Sequence, residues 1–261
     1  MSQLERIPDW EERIQTLRAG QAPLLTHVRC YESLGSTMDV ARELLPALAT
    51  HDRALVLTKH QQQGRGRQGR RWEQPRSGFY GTFVFAAPPA LAGIAGFSLV
   101  TGIAVARTLR TMGATVQLKW PNDVLTPDGA KLCGILIDLV TEQQTNWLLT
   151  GIGINLAGEP NVNTTTSSIA TLTGKEIDPC EVATALTPIL LDLWNVYAVQ
   201  GFAAFRSEWI SHAYGIGRSI TIDSGTDRTT GVFRGVSDRG GLLLERGSEL
   251  SEFISGHILA I

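Results

Sequence analysis

Residues 64–72 read GRGRQGRRW, and two short runs downstream share their character: KWPND at 119–123 and KLCG at 131–134. Four arginines and three glycines in nine residues, closed by Trp72, have the composition of a loop that folds around a phosphate-bearing ligand. Glycine opens backbone conformations and close approaches that other residues resist, while arginine offers a planar, permanently charged fork suited to phosphate and carboxylate oxygens. Apolar, β-rich runs flank the loop at 54–59 and 80–85, and further strands are predicted at 116–120, 132–140 and 147–156. The central part of the chain therefore reads as a mixed α/β domain with a binding loop set between two strands.

Outward from that centre, Asp9 and Glu12 form a capping pattern ahead of Trp10, Ile14 and Leu17, which predicts a short N-terminal helix ending before Gly20. Ser36 and Thr37 predict the start of a second helix, which Pro46 bends or ends. Residues 83–106 carry no charge, but Pro88, Pro89 and three glycines interrupt them, so a buried helix over about 91–112 is expected rather than a membrane span. Residues 161–168, NVNTTTSS, read as a polar surface loop. Apolar spacing from Pro179 to His212 describes two helices separated near Gly201. Beyond it, short alternating segments at 219–223, 229–236, 241–245 and 254–261 predict a small β-barrel. The domain boundary is placed near 213–217, dividing the chain into 1–214 and 215–261.

Composition narrows the partners. The chain has 261 residues, 43% of them apolar, and a formal net charge of −2, so its basic loop stands against a near-neutral background and suits a small anion better than nucleic acid. Cys30, Cys133 and Cys180 are odd in number and far apart, which disfavours a disulfide framework or structural zinc and fits a reducing cytoplasm. Cys133 is expected to be a buried, small apolar side chain. The five histidines show no metal-ligand spacing, so no protein-bound metal is expected. The first residues lack the basic and apolar regions of a signal peptide.

In order along the chain, GST (35–37), QGRGRQGRRW (63–72), KWPND, KLCG and GIGIN (151–155) resemble the catalytic part of the biotin protein ligases. The resemblance implies an α/β (α+β) fold: a mixed β-sheet catalytic domain with flanking helices, biotin/lipoate ligase-like and related to class II tRNA synthetases, followed by an SH3-like β-barrel. It also implies a two-step reaction, in which a biotin carboxylate attacks the α-phosphate of ATP and an acceptor lysine then attacks the mixed anhydride. Both substrates of the first step are anions, so preorganised donors must stabilise a crowded negative transition state.

By the same resemblance, Lys131 sits between the biotin carboxylate and the α-phosphate, and Arg67 and Arg70 meet phosphate oxygens. Trp72 either stacks on adenine or closes the loop as a core residue. Ser36 and Thr37 meet the ureido ring while also standing at a helix start. Met38 replaces the asparagine the family often carries next. Gln61, Gly64, Arg65 and Gly134 are placed at biotin, with Arg65 closing over the intermediate. Asn122 meets the triphosphate directly or through magnesium, Asp123 orients the incoming amine or merely forms a turn, and Asn155 lies near ribose or adenine. ATP with Mg2+ and biotin are the implied ligands. The implied partner is the biotin carboxyl carrier domain of acetyl-CoA or a related carboxylase, with the enzyme a monomer or homodimer and no nucleic acid or membrane involved. Some members carry an N-terminal helix-turn-helix domain and repress transcription. About 30 residues precede Gly35 here, neither basic nor long enough for one, so no repressor activity is expected. The final residues, GHILAI, lack the terminal arginine that the family often presents. A lipoate-type ligase and an RNA-binding module are the competing readings, separated by the carboxylic acid that supports nucleotide exchange and by salt-dependent RNA binding.

Overall fold

The computed structural model describes residues 4–88, 95–160, 162, 164–225 and 227–260. Helix α1 (Pro8–Gln15) is followed by a two-strand turn, β1 (Arg18–Ala19) with β2 (Ala22–Pro23), then β3 (His27–Leu34), α2 (Thr37–Leu44), β4 (Arg53–Gln61) and β5 (Ser77–Ala86). Next come α3 (Ala95–Thr111), β6 (Gln117–Lys119), β7 (Asp123–Leu125), β8 (Lys131–Glu142) and β9 (Thr145–Ala157). Helices α4 (Ile169–Thr173), α5 (Pro179–Gln200) and α6 (Arg206–Ser211) precede β10 (Ser219–Asp223), β11 (Arg228–Val236), β12 (Leu242–Arg246), β13 (Glu249–Phe253) and β14 (His257–Ala260).

Seven strands form one mixed sheet in the order β3-β4-β5-β9-β8-β7-β6. Only β3 and β4 run parallel, with Leu34 opposite Gln61. That pairing brings the ends of both strands to one edge, so the GST motif after β3 and the arginine loop after β4 emerge side by side. Backbone bonds from Gln62 N to Leu34 O (2.8 Å) and from Gln63 N to Gly35 O (2.7 Å) continue the pairing past the strands. The antiparallel strands deliver the start of β5, the end of β9 and the start of β8 to the same end, with Gly78 opposite Asn155 and Cys133 opposite Ile154.

One face of the sheet packs on α1, α3 and α5, where Phe85, Phe97 and Trp194 meet at centroid distances of 4.8 to 5.6 Å. Aromatic contacts of this kind add to simple area burial. Helix α5 is long and apolar enough to cross a membrane by length and composition alone; its apolar face is spent on this core. Helix α2 covers part of the other face through Met38 and Ala41, which pack with Val56, Trp147 and Leu149. Between α2 and the start of β8 that face is left open.

The five C-terminal strands form an antiparallel sheet in the order β13-β12-β11-β10-β14, consistent with a small SH3-like unit. It is anchored to the preceding part of the chain by Trp120 Nε1, just after β6, which donates to Gly240 O at 3.0 Å, and by Arg206 Nε of α6, which donates to Val236 O at 2.6 Å. Residues 212–214 run beside β6, with Leu118 N bonded to His212 O and Tyr214 N to Leu118 O, both at 2.8 Å.

Several local expectations change. Helix α1 begins at Pro8, with Asp9 inside it and no side-chain cap at Ile7, because proline's fixed φ and missing N–H suit the first helical position. It ends at Gln15, and the chain then turns through β1 and β2. The expected start of α3 at 91 lies outside the described residues. Strands β1, β2, β3, β7 and β13 and helix α4 are additional. β3 carries Arg29, Glu32 and Ser33 among its apolar residues and has no clean period, while β7 spans only three residues.

Candidate active site

The open part of the sheet forms a cavity of about 580 Å³. It is lined by Ser36, Thr37, Gln61, Arg65, Arg67, Arg70, Trp72, Asn122, Asp123, Lys131, Gly134 and Asn155, twelve of the thirteen residues singled out above.

The thirteenth, Gly64, is not part of the wall. It is buried at the neck of the arginine loop, where its carbonyl accepts from Trp72 N at 2.9 Å. A Cβ there would stand 2.9 Å from both Gln61 Nε2 and Trp72 O, so glycine is required by crowding rather than by ligand approach. Gly66 N donates to Arg70 O (2.7 Å) and Arg65 bridges Arg71, so the loop is a small closed hairpin. Its tip uses positive φ at Gln68 (58°) and Gly69 (72°), not at the two glycines nearer its start.

One end of the cavity is neutral and already hydrogen-bonded. Gln61 Oε1 accepts from Thr37 N (2.9 Å) and Thr37 Oγ1 (3.0 Å), and Thr82 Oγ1 donates to Thr37 Oγ1 (2.8 Å). Gln74 Nε2 holds the backbone carbonyl of Gln61. All of Thr37, Gln61 and Thr82 are buried. Ser36 stands at the N-cap position of α2, but its side chain makes no capping bond, and its buried Oγ has no protein partner. A buried hydroxyl without a partner carries a desolvation cost of about 1–3 kcal/mol, which a ligand's donor or acceptor would remove. Met38 closes this end: its Sδ lies where a Cβ on Gly151 would be 2.9 Å away.

The middle is a glycine window. Gly134 on β8 and Gly153 on β9 stand directly opposite each other, and the Trp72 ring lies over both. Cβ atoms at those positions would come within 2.6 Å of Cζ3 and 2.7 Å of Cε2. Trp72 is half-buried with its Nε1 unpartnered, and Lys131 Nζ lies 5.5 Å from the ring centroid. Its indole belongs to the cavity wall, not to the hydrophobic core.

The far end is cationic. Lys131 Nζ forms an ion pair with Asp123 Oδ1 at 2.5 Å, so Asp123 holds the lysine and is not simply a turn-former. Arg67 Nη1 reaches Asn122 Oδ1 at 3.5 Å, and Asn122 Nδ2 donates to Ile135 O at 2.9 Å, which fixes the amide. Burial and the neighbouring Arg70 hold the Arg67 guanidinium below the usual arginine range, against the pull of Asp123. Burial and Lys131 do the same to the Lys119 ammonium, again opposed by Asp123. Confined cations that depress one another are stabilised when an anion enters among them.

Four features escaped the sequence reading. Lys119 is in the KWPND motif, but its residue type alone gave it no role. Asp39, exposed on α2, forms an ion pair with Arg65 and tethers one edge of the loop. Within the polar run expected as a surface loop, Val162 and Thr164 to Thr166 form a wall of the cavity; Asn161 and Asn163 lie outside the described residues. Lys131 N donates to Thr165 O (2.9 Å), Ser167 N to Lys131 O (3.0 Å), and Asn155 Nδ2 to Ser167 O (3.1 Å). Asn155 is thereby a buried brace for this wall, with its Oδ1 unpartnered. Finally, Gly256 to Leu259, from the C-terminal sheet, line the same cavity; no motif marks them.

The comparisons agree with this architecture. The Biotin/lipoate A/B protein ligase family model matches residues 30–155, and the Biotin protein ligase C terminal domain matches residues 215–259. A biotin–[acetyl-CoA-carboxylase] ligase of Paracoccus denitrificans is 34% identical over 80% of this chain and 90% of its own length. The bifunctional ligase/repressor BirA of Escherichia coli is 32% identical over 77% of this chain and 64% of its own length. In fold, the biotin protein ligase from Aquifex aeolicus in complex with biotin and ATP superposes with a TM-score of 0.78 at 24% identity, covering 90% of this chain and 98% of that one. The chain belongs to the biotin/lipoate protein ligase family and, within it, is an enzyme of the biotin–protein ligase type. Cys30, Cys133 and Cys180 are all buried and free, and burial pushes the Cys133 thiol far above its ordinary range.

Proposed function

We propose that the enzyme joins biotin to ATP as biotinyl-5′-AMP and passes the biotin to a lysine of a biotin carboxyl carrier domain of acetyl-CoA or a related carboxylase. The observation that carries this reading is the polarity of one continuous cavity: a buried neutral hydrogen-bonding end, a glycine-floored middle and a cationic end. A ureido ring suits the first, because Ser36 Oγ offers an unpartnered hydroxyl beside the Thr37–Gln61 pair. An acyl chain crosses the second and brings the carboxylate to Lys131. The nucleotide's phosphates occupy the third, against Arg67, Arg70 and Lys119, with Asn122 beside them.

In the first step the carboxylate oxygen bonds to the α-phosphorus and pyrophosphate leaves. Lys131 neutralises both reacting anions, and its 2.5 Å contact with Asp123 fixes where that charge stands. Charge placed in advance needs no reorganisation when the transition state forms. In the second step an acceptor amine attacks the anhydride and AMP leaves. The Asp123 carboxylate orients that amine. Magnesium arrives with the nucleotide as part of the substrate; among the described residues, no group of three His, Cys, Asp or Glu side chains gathers to hold a metal.

The reading divides the chain into a catalytic unit at 1–214 and an SH3-like unit at 215–261, acting in the cytoplasm without DNA. The test is pyrophosphate exchange into ATP, dependent on biotin, followed by biotin transfer to a purified carrier domain. Exchange that depends on lipoate instead would overturn the substrate assignment, and a specific promoter shift at moderate salt would overturn the absence of repression.

A further inference from the structure

Among the described residues, His257 is the one titratable side chain that the C-terminal sheet places in the cavity wall. It opens β14 and stands opposite Asp223 of β10. The turn before it is tight: Gly256 adopts φ 154°, and a Cβ there would lie 3.0 Å from both Asp223 O and Ile222 Cγ2. Glycine lets the strand enter close against β10, and the next residue is half-buried at the cavity edge. Position is secured from the other side as well, since Trp120, in the KWPND motif itself, is bonded to Gly240 of the same C-terminal unit.

The charged groups around His257 come from five elements: Arg70 from the loop, Lys119 from β6, Asp123 from β7, Lys131 from β8 and Asp223 from β10. Asp123 is already committed to Lys131, and Asp223 accepts from Gly225 N (2.9 Å) and Arg228 Nε (3.2 Å). The balance facing the imidazole is therefore positive. Burial first, then Arg70, Lys119 and Lys131, hold the imidazole below the ordinary histidine range, against Asp123. The free enzyme keeps His257 neutral near pH 7.

We propose that His257 is the C-terminal unit's contribution to the nucleotide end of the cavity, and that it takes up a proton when the polyphosphate binds. The inference rests on the nucleotide reading of that end and extends it to a residue outside the ligase motifs. A triphosphate seated among Arg70, Lys119 and Lys131 cancels the field that disfavours the imidazolium, and the protonated ring then donates to it. The sign follows from linkage: the bound state holds more protons than the free state, so affinity is greatest below the free-state pKa and falls as pH rises through the bound-state pKa. Within that window the nucleotide Kd weakens by up to roughly tenfold per pH unit.

The experiment uses the full-length enzyme and magnesium α,β-methylene-ATP, which cannot form the adenylate. Binding heats are measured near pH 7 in buffers of different ionisation enthalpy, to count protons. Wild type is expected to take up more protons than His257→Gln, the difference between them removing the nucleotide's own titration. His257→Arg, with a permanent charge, is expected to bind nucleotide with wild-type strength or better and to lack that additional uptake. Biotin binding, which uses the opposite end of the cavity, reports that each variant is folded. Equal proton uptake in wild type and both variants overturns the role of His257. Absence of any nucleotide binding by wild type, by contrast, overturns the nucleotide reading itself.

Discussion

The two ends of the cavity are built on opposite principles. At the neutral end Thr82, Thr37 and Gln61 satisfy one another before any ligand arrives, so the geometry is fixed by buried hydrogen bonds that would be costly to break. At the cationic end Arg67, Lys119 and Lys131 share Asp123 as an acidic neighbour, and burial sets Arg67 against Arg70 and Lys119 against Lys131. The first end recognises by fit. The second holds unrelieved charge that a substrate anion relieves, and that serves chemistry better than it serves stability.

The comparison can be broken most severely at Lys131. Charged hydrogen bonds contribute about 1.5–3 kcal/mol each, so Lys131→Ala should slow biotin-dependent pyrophosphate exchange by roughly one to two decades. Carrier labelling by that variant at the wild-type rate would remove the central assignment. Arg67→Ala should fall in the same direction by about a decade or more, because its guanidinium is half-buried among like charges.

The glycine window is the next point of attack. A Cβ at Gly153 would stand 2.7 Å from Trp72 Cε2, so Gly153→Ala must displace the indole. The expected result is a KM for ATP raised by about tenfold, equivalent to about 1.4 kcal/mol, with the fold intact by thermal melting. An unchanged KM would mean that Trp72 leaves its apo position before nucleotide binds.

At the neutral end, Thr37→Val removes one donor to Gln61 Oε1 and the acceptor for Thr82. An unmet buried hydrogen bond costs about 1–3 kcal/mol, so KM for biotin should rise while KM for ATP stays near wild type. A rise in both would show that the two ends are not separable. The smallest effect on adenylation is expected from Arg65→Gly. Arg65 is exposed and tethered to Asp39, and surface pairs contribute at most about 1 kcal/mol. The adenylate should still form but escape and label bystander lysines, a readout for mass spectrometry. Asp39→Ala, which frees the arginine without removing it, should do so less.

The arginine loop was legible in the sequence from its composition, whereas the roles of Lys131, Arg67 and Arg70 came from the family resemblance of several motifs in order, because a single lysine or a glycine-arginine loop serves many purposes. The neutral end was legible only in Ser36, Thr37 and Gln61; Thr82 sits in an apolar strand and becomes part of the network through a pairing 45 residues from Thr37. Gly64 was assigned to the ligand, yet its neighbours are Gln61 and Trp72 of its own loop. The polar run at 161–168 had no apolar period to betray its contact with Lys131. Its bonds are made by backbone groups, which every residue carries.

By itself, then, the sequence determined the chemistry available: a cluster of permanent cations, a pair of small hydroxyl residues, an aromatic ring, and strands to carry them. Periodicity and residue type are local properties, and they survive being read one window at a time. The tertiary structure alone decided that these groups share one cavity. The parallel pairing of β3 with β4 puts two strand ends side by side, the Gly134–Gly153 register makes room for Trp72, and the docking of the C-terminal sheet adds His257 to the wall. Each of these depends on contacts between residues far apart in the chain, set by burial and sheet register rather than by neighbours in sequence.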